Sequence, residues 1–352
     1  MMKANKKKLH DLLVMAGVVA LFAVVAGLLY SGSLSRQVTN MLIPTSVYIV
    51  LAVSLNLVVG LLGELSLGHA GFMSVGLFSG CLVSIALSQT AMPLAVRMVM
   101  AMLAGGLVAA VFGLLVGLPT LRLKGDYLAI VTLAFGEIVK NVMNACYLGL
   151  DSRGLHFSLK DSASLNLEAD GKVLINGAMG ITGIKKASTF TIGIVLVIIT
   201  LLVILNLVNS RAGRAITAIR DNEIAARSVG IPITKYKLMA FVTSAVFAGV
   251  AGVLYALNYS SLVAKKFDYN TSILILVFVV LGGIGSLRGS VIAATVLTVL
   301  PELLRSMNDY RMLIYAIVLI IMMLFNWAPA ARNWRARVME KIKGTKNKKE
   351  AA

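Results

Sequence analysis

The chain has 352 residues, of which 59% are hydrophobic and only 14% charged, where soluble domains carry about a quarter of their residues as charges. Several apolar runs reach the ~20 residues that cross a bilayer as a helix, which excludes a soluble globular fold and indicates a polytopic membrane protein. The net charge of +18 does not point to nucleic acid, because the basic residues flank apolar spans instead of interleaving with exposed aromatics.

At the amino terminus, Lys3, Lys6, Lys7 and Lys8 precede an apolar run from Leu12 to Tyr30. A cleaved signal core is usually about 7–15 residues long and ends at a small-residue site. This run is longer, and Val24-Val25-Ala26 is a weak cleavage match, so it is read as a retained first transmembrane helix. The predicted spans are 11–30, 41–62, 66–88, 93–118, 126–147, 188–208, 238–258, 270–285, 290–304 and 311–327. An even number of crossings puts both ends on one side. The N-tail holds four basic residues, the Arg122/Lys124 turn two, the 209–237 loop six, Arg288 one and the C-terminal tail eight, together 21 of the 33. Both termini are therefore predicted cytoplasmic. The predicted organisation is all-α, with about ten transmembrane helices in one domain over 1–328 and a basic cytoplasmic tail over 329–352.

Charge within hydrocarbon is costly and faces the bundle interior. Glu64 and His69 frame Leu65-Ser66-Leu67-Gly68 at the junction of the second and third spans. Glu137 and Lys140 lie three apart in the fifth span, close enough to pair on a helix. Such a pair either orients helices as a satisfied interior contact or, with Thr132 and Gly136, borders a translocation path. The external loop 148–187 is the least hydrophobic region and mixes Asp151, Arg153, Lys160, Asp161, Glu168, Asp170 and Lys172. It reads as a solvated loop with a short hairpin around Ala169-Asp170-Gly171-Lys172, or as a face for an external delivery protein.

The loop at 209–237 is long, basic and helix-prone between two apolar stretches. Its alanines and alternating charges predict a helix from Arg214 to Val229, ended by Gly230 and kept from continuing by Pro232. By charge alone, such a helix also suits anionic membrane lipid. Further on, Gly282-Gly283-Ile284-Gly285 closes a short span, either lining a cavity or permitting close packing. Cys81 and Cys146 show no metal or disulfide spacing and read as small hydrophobes. No P-loop, nucleophile elbow or zinc motif occurs, and His10, His69 and His156 are scattered, so catalysis by this chain is not expected.

Glu223-Ile224-Ala225-Ala226 followed by Gly230 reproduces the spacing of the EAA…G loop by which ABC-importer permeases dock onto their ATPases. With it go LNLVVGLLGELSLGHAGF (55–72), GLPTLRLKGDYLAIVTLAFGEIV (117–139), SRAGRAITAIRDNEIAARSVGI (210–231), LGGIGSLRGSVIAA (281–294) and LPELLR (300–305). On these stretches, in order from about residue 40 to 328, the chain resembles the larger permease subunit of bacterial branched-chain amino acid ABC importers.

The resemblance implies an ABC-importer permease bundle in the bacterial cytoplasmic (plasma) membrane. A second permease would complete the pathway, two ABC ATPase subunits would dock on it, and an extracytoplasmic substrate-binding protein would deliver the cargo. ATP and magnesium would belong to the ATPases, with no cofactor on this chain. Arg214, Asp221, Glu223, Ala226 and Gly230 would sit at the ATPase contact, leaving Glu64, His69, Thr132, Gly136 and Glu137 as translocation-path candidates. Leucine, isoleucine and valine are the expected cargo. Urea or short-amide importers share nearly all these motifs, while an ion-coupled carrier would use Glu64 or Glu137 and not need the loop. Two departures from the family pattern stand out: Glu64, where Gln is more usual, and a longer segment at 148–175.

Overall fold

The computed structural model of the chain describes residues 36–89, 92–123, 125–151, 154–167, 171–304 and 310–327, with positions 17, 25–27 and 31. Most of the predicted first span and the tail at 329–352 lie outside the described residues. The elements in order are α1 (Arg36–Asn56), a π-helical turn (Leu57–Leu62), α2 (His69–Ala86), α3 (Leu94–Thr120) and α4 (Asp126–Ala145). Then come β1 (Tyr147–Asp151), β2 (Gly154–Ser158), β3 (Lys172–Asn176), β4 (Ile181–Thr182) and α5 (Phe190–Asn209). The remainder are α6 (Arg211–Asp221), α7 (Glu223–Ser228), α8 (Ile233–Ala256), β5 (Ser261–Leu262), α9 (Tyr269–Gly282), α10 (Leu287–Leu303) and α11 (Arg311–Trp327).

The apolar runs form helices because a helix satisfies every internal backbone N–H and C=O within its own segment, as a lipid surrounding requires. Among the described residues, six helical segments are long and apolar enough to cross a bilayer: Val38–Leu62, His69–Ala86, Leu94–Thr120, Asp126–Ala145, Phe190–Asn209 and Ile233–Ala256. The chain is a multi-pass membrane protein. α9, at 14 residues, is short for a crossing, reaching about 21 Å of a ~30 Å hydrocarbon core.

Small residues set the packing. The buried face of α3 carries Ala101, Gly105, Ala109, Gly113 and Gly117 at every fourth position, and it lies against α2 and α8. Gly76 of α2, Gly105 and Gly249 of α8 converge, so that a Cβ on Gly76 would lie 2.2 Å from the Gly249 Cα. Such crossings bring backbones close where lipid supplies no hydrophobic drive between helices.

The all-α expectation is corrected outside the bundle. Residues 147–182, joined by β5 from the α8–α9 connection, form a five-stranded antiparallel sheet in the order β2-β1-β3-β4-β5. Leu165, Leu174, Ile175 and Ile181 of this stretch are buried, and Ile175 and Ile181 join the core of the helical bundle. β1 pairs antiparallel with β2, with Asp151 opposite Gly154, and His156 Nε2 lies 3.0 Å from Asp151 Oδ1. The hairpin predicted around 169–172 falls in part on residues outside those described, and β3 after it pairs with β1 and β4.

The sheet caps one end of the bundle and α6–α7 the other. A Cβ on Gly117 of α3 would meet Leu238 and Phe241 near the start of α8. The α9–α10 turn abuts Asn56. Arg122, Arg288 and the 209–237 loop therefore gather at one end, as the charge pattern of the sequence requires.

Candidate coupling and translocation site

The α6–α7 hook is built by local capping. Ser210 Oγ accepts from Gly213 N at 3.2 Å and opens α6. The single helix predicted over 214–229 is broken at Asn222, whose Oδ1 accepts from Ala225 N at 3.0 Å and starts α7 anew. An Asn side chain offers the backbone this alternative to continued helix, and N-capping is where it is favoured. The predicted stop holds: Gly230 has φ +82°, Gly230 N bonds Arg227 O at 3.0 Å, and Ile231 N bonds Ala226 O at 3.1 Å. This pair of bonds is the Schellman arrangement, and Pro232 then sits ahead of α8.

Among the candidate coupling residues, Arg214 is exposed and donates to Asn209 O at 3.4 Å. Asp221 is exposed and held by Arg220 at 2.8 Å. Ala226 faces inward, buried with Ile219 and Ile233. A side chain at Gly230 would meet open space. What projects instead is Ile224, 80% exposed, and Val229, 75% exposed. Sequence reading passed over both; the signal was two aliphatic residues on an otherwise polar, basic segment.

Glu223 is tied down. Lys237 of α8 is 4% exposed, with its Nζ 2.5 Å from Glu64 Oε1 and 3.2 Å from Glu223 Oε2. Arg227 reaches the other Glu223 oxygen at 3.1 Å. A buried ammonium needs such partners, because an uncompensated charge there costs several kcal/mol on the order-of-magnitude scale of buried ions. Arg220 Nη1 also donates to Gly60 O at 3.2 Å, in the π-turn after α1. The hook is thus fastened directly to the segment joining α1 and α2 by Arg220, and through Lys237 to α8 and to Glu64.

That joining segment is a node. Asn56, fully buried, accepts from Gly285 N at 2.9 Å and donates to Ser290 Oγ at 2.8 Å, linking the end of α1 to the α9–α10 turn. Only glycine fits at position 60, where a Cβ would lie 1.9 Å from Asn56 Oδ1 and 2.3 Å from Gly285 N. His69 Nε2 lies 3.0 Å from Ser54 Oγ, and Ala70 N donates to Ser272 Oγ of α9 at 3.1 Å. Leu67 N donates to Thr132 Oγ1 of α4 at 3.0 Å. Gly136 lies against Gly68 and Gly71.

The structure therefore separates the translocation-path candidates. His69, Thr132 and Gly136 meet where α2 begins. Glu64, in the α1–α2 segment, is tied to the hook through Lys237. Glu137 pairs with Lys140 and accepts from Tyr269 N at 3.1 Å, at the start of α9. Among the described residues no group of three or more His, Cys, Asp or Glu is placed to hold a metal. The arrangement is suited to passing a displacement of α7 into the bundle, through Glu223, Lys237 and Glu64 and through Arg220 and Gly60.

Comparison with known proteins bears on what such a device serves. The family model described as branched-chain amino acid transport system / permease component matches residues 37–324. The chain is 36% identical over 331 residues to the high-affinity branched-chain amino acid transport system permease protein LivM of Salmonella typhimurium. It is 35% identical over 331 residues to the protein of the same name from Escherichia coli. Each match covers 90% of this chain and 75% of the relative. A fructose import permease protein of Bifidobacterium longum is 27% identical over 126 residues, 34% of this chain and 37% of that protein.

Proposed function

Since the chain belongs to the permease component family of branched-chain amino acid transport systems, we propose that it is the membrane-embedded half of an ATP-driven importer of leucine, isoleucine and valine. It is a transport subunit and not an enzyme. In this reading a second permease lies beside it, two ATPase subunits bind the α6–α7 end, and a binding protein approaches the sheet end. ATP and magnesium are held by the ATPases. The α6–α7 end faces the cytoplasm of a bacterial cell, both termini lie there, and ten helices cross the inner membrane.

The observation that carries this reading is the hook itself. Two aliphatic side chains, Ile224 and Val229, stand exposed on a tip that is anchored from behind by Glu223 and Lys237. A partner groove that covers Ile224 and Val229 gains apolar burial, and Arg227 at the rim sets register. Arg214 and Asp221 flank that tip on the exposed side of α6. Movement of the ATPases would pull α7, and the Lys237 bridge would carry the pull to the α1–α2 node, beside His69, Thr132 and Gly136. Glu137 would act at the start of α9, on the flank of the path.

The similarity to a fructose permease over a third of the chain indicates that this machinery serves more than one cargo, so cargo needs its own test. Vesicles containing this chain with candidate second permease, ATPases and binding protein are assayed for labelled leucine uptake. ATP-dependent uptake that disappears in Ile224→Asp, with the variant still folded but no longer retaining the ATPases, supports the reading. Uptake of urea but not leucine keeps the machine and changes the cargo. ATP-independent uptake by this chain alone overturns it.

A further inference from the structure

The five-stranded sheet has two faces, and the chain covers only one of them across β1 and β2. Residues directly opposite on antiparallel strands share a face. On the first face lies Gly149, where a Cβ would meet Leu167 at 2.7 Å, and the turn at Ala163–Leu165 packs on β1 and β2. On the second face Ile175 of β3, Leu148 of β1 and Phe157 of β2 form one row across the strands. Ile175 belongs to the bundle core, Leu148 packs half-buried against that core, and Phe157 is 62% exposed. The neighbouring row is Lys172, Leu150 and Leu155, and there Leu155 is 69% exposed. The face that seats the sheet on the bundle therefore runs on past the bundle's edge, still apolar and still turned the same way.

The helix α4 fixes the height of this overhang. Its 20 residues reach about 30 Å, the thickness of the hydrocarbon core and no more. β1 begins at Tyr147, directly after Ala145 and Cys146, so the strands start at headgroup depth. Ile138 and Val142, toward the sheet end of α4, are exposed as well, and the apolar surface continues from the helix to the overhang. Lys160, just past β2, and Lys172 are exposed beside it. β2 is an edge strand of the sheet. An open edge has no place within hydrocarbon, where its free N–H and C=O groups would find no partner, so contact with lipid stops at the headgroup boundary.

We propose that this overhang is a membrane-resting surface: Leu155 and Phe157, with Leu159 beyond them, lie on the boundary between headgroups and acyl chains. Lys160 and Lys172 keep their ammonium groups among the lipid phosphates while their stems lie on the apolar face. The occupant is lipid, because the exposed apolar area of these three side chains is on the order of a few hundred Å², short of the roughly 800 Å² per partner of a stable protein interface. Resting so, the sheet is held at a fixed height over the end of the bundle, and its first face is left turned to the external space. The inference goes beyond the importer reading and holds for any cargo.

Both native cysteines, Cys81 and Cys146, are buried, so a nitroxide spin label can be placed through Phe157→Cys in the full importer. Ala163→Cys, exposed in the turn that packs on the first face, carries the label as a reference for water. The complexes are held in nanodiscs of phosphatidylethanolamine and phosphatidylglycerol. Collision of the label with oxygen, which concentrates in the bilayer, is compared with collision with a water-soluble nickel chelate. The oxygen-to-nickel ratio is expected to be several-fold higher at 157 than at 163. Leu155→Cys supplies a second position on the same face, should the first variant assemble poorly, and the same excess is expected there. Equal ratios on the two faces overturn the proposal and place the overhang in water. A label shielded from both reagents overturns it in favour of a protein neighbour. The collision readout does not depend on transport, so an importer that takes up no leucine counts against the importer reading and leaves this contact to its own test.

Discussion

Two strongly apolar spans of this protein have opposite surroundings. In the most apolar 18 residues of Val38–Leu62, 94% are buried inside the chain, against 28% in those of Leu94–Thr120. In water, apolarity alone would send both to the core. In a bilayer, lipid tails are as apolar as Leu, so hydropathy marks a crossing and not its neighbours. What distinguishes the spans is their polar and small residues. The first buries Thr45, Ser46, Ser54 and Asn56. Ser54 Oγ lies 3.0 Å from the His69 ring, and the Ser54 carbonyl accepts from Ser244 Oγ at 2.7 Å. The second buries a line of glycines and alanines on one face and presents Val99, Leu103, Leu107 and Leu114 on the other.

The comparison breaks most directly at the end of the buried span. Gly60→Ala would set a methyl 2.3 Å from the Gly285 backbone nitrogen, and no side chain can rotate to relieve that. Separating α1 from the α9–α10 turn is expected to cost about 3 kcal/mol or more, as severe overpacking does. The measurement is the yield of monodisperse protein in detergent, which should collapse. Asn56→Leu follows at about 2–3 kcal/mol, because it leaves the Gly285 N–H without an acceptor in a dry interior and removes the donor to Ser290 Oγ, which keeps its bond to Ser286 O. Thermal unfolding in detergent reads that loss, and a neutral outcome would show that water enters the node.

These contacts also mark where sequence reading stopped. The positions of six spans were legible because a continuous apolar run has few alternatives in lipid, and Gly230-Ile231-Pro232 announced the end of the hook because glycine and proline have narrow backbone uses. The pairing of Glu137 with Lys140 followed from their helical spacing. Asn222 was not legible as a break, since the same residue is tolerated within a short helix and favoured at its cap. The sheet escaped because its strands are no longer than five residues and β3 pairs across most of the segment with β1. Lys237 counted as one of six basic residues in a loop, for nothing near it in sequence announces Glu64, 173 positions away.

That bridge gives the next prediction. Lys237→Met leaves Glu64 and Glu223 facing each other without their shared cation, and uptake per ATP hydrolysed is expected to fall about ten-fold, on the scale of one broken buried ion contact. Adding Glu64→Gln to Lys237→Met removes one stranded carboxylate and should restore stability. It should not restore coupling, because the link between α7 and the α1–α2 node stays cut. Recovery of both together would make the bridge a packing feature only.

The smallest expected effect sharpens the comparison furthest. Leu51→Ala in the buried span, at 0% exposure, should cost about 2–5 kcal/mol, the range for opening a cavity in a packed core. Leu107→Ala on α3 is 66% exposed within this chain and should cost at most about 0.5 kcal/mol, as surface substitutions do. Lipid can refill the space that Leu107 vacates, whereas a second polypeptide packed on α3 cannot. Unfolding of Leu107→Ala should therefore be compared for the isolated chain and for the assembled importer. Equal, small losses in both would put lipid on the outer face of α3. A loss near that of Leu51→Ala, confined to the assembly, would place the second permease there and turn the more exposed of the two spans into a buried one.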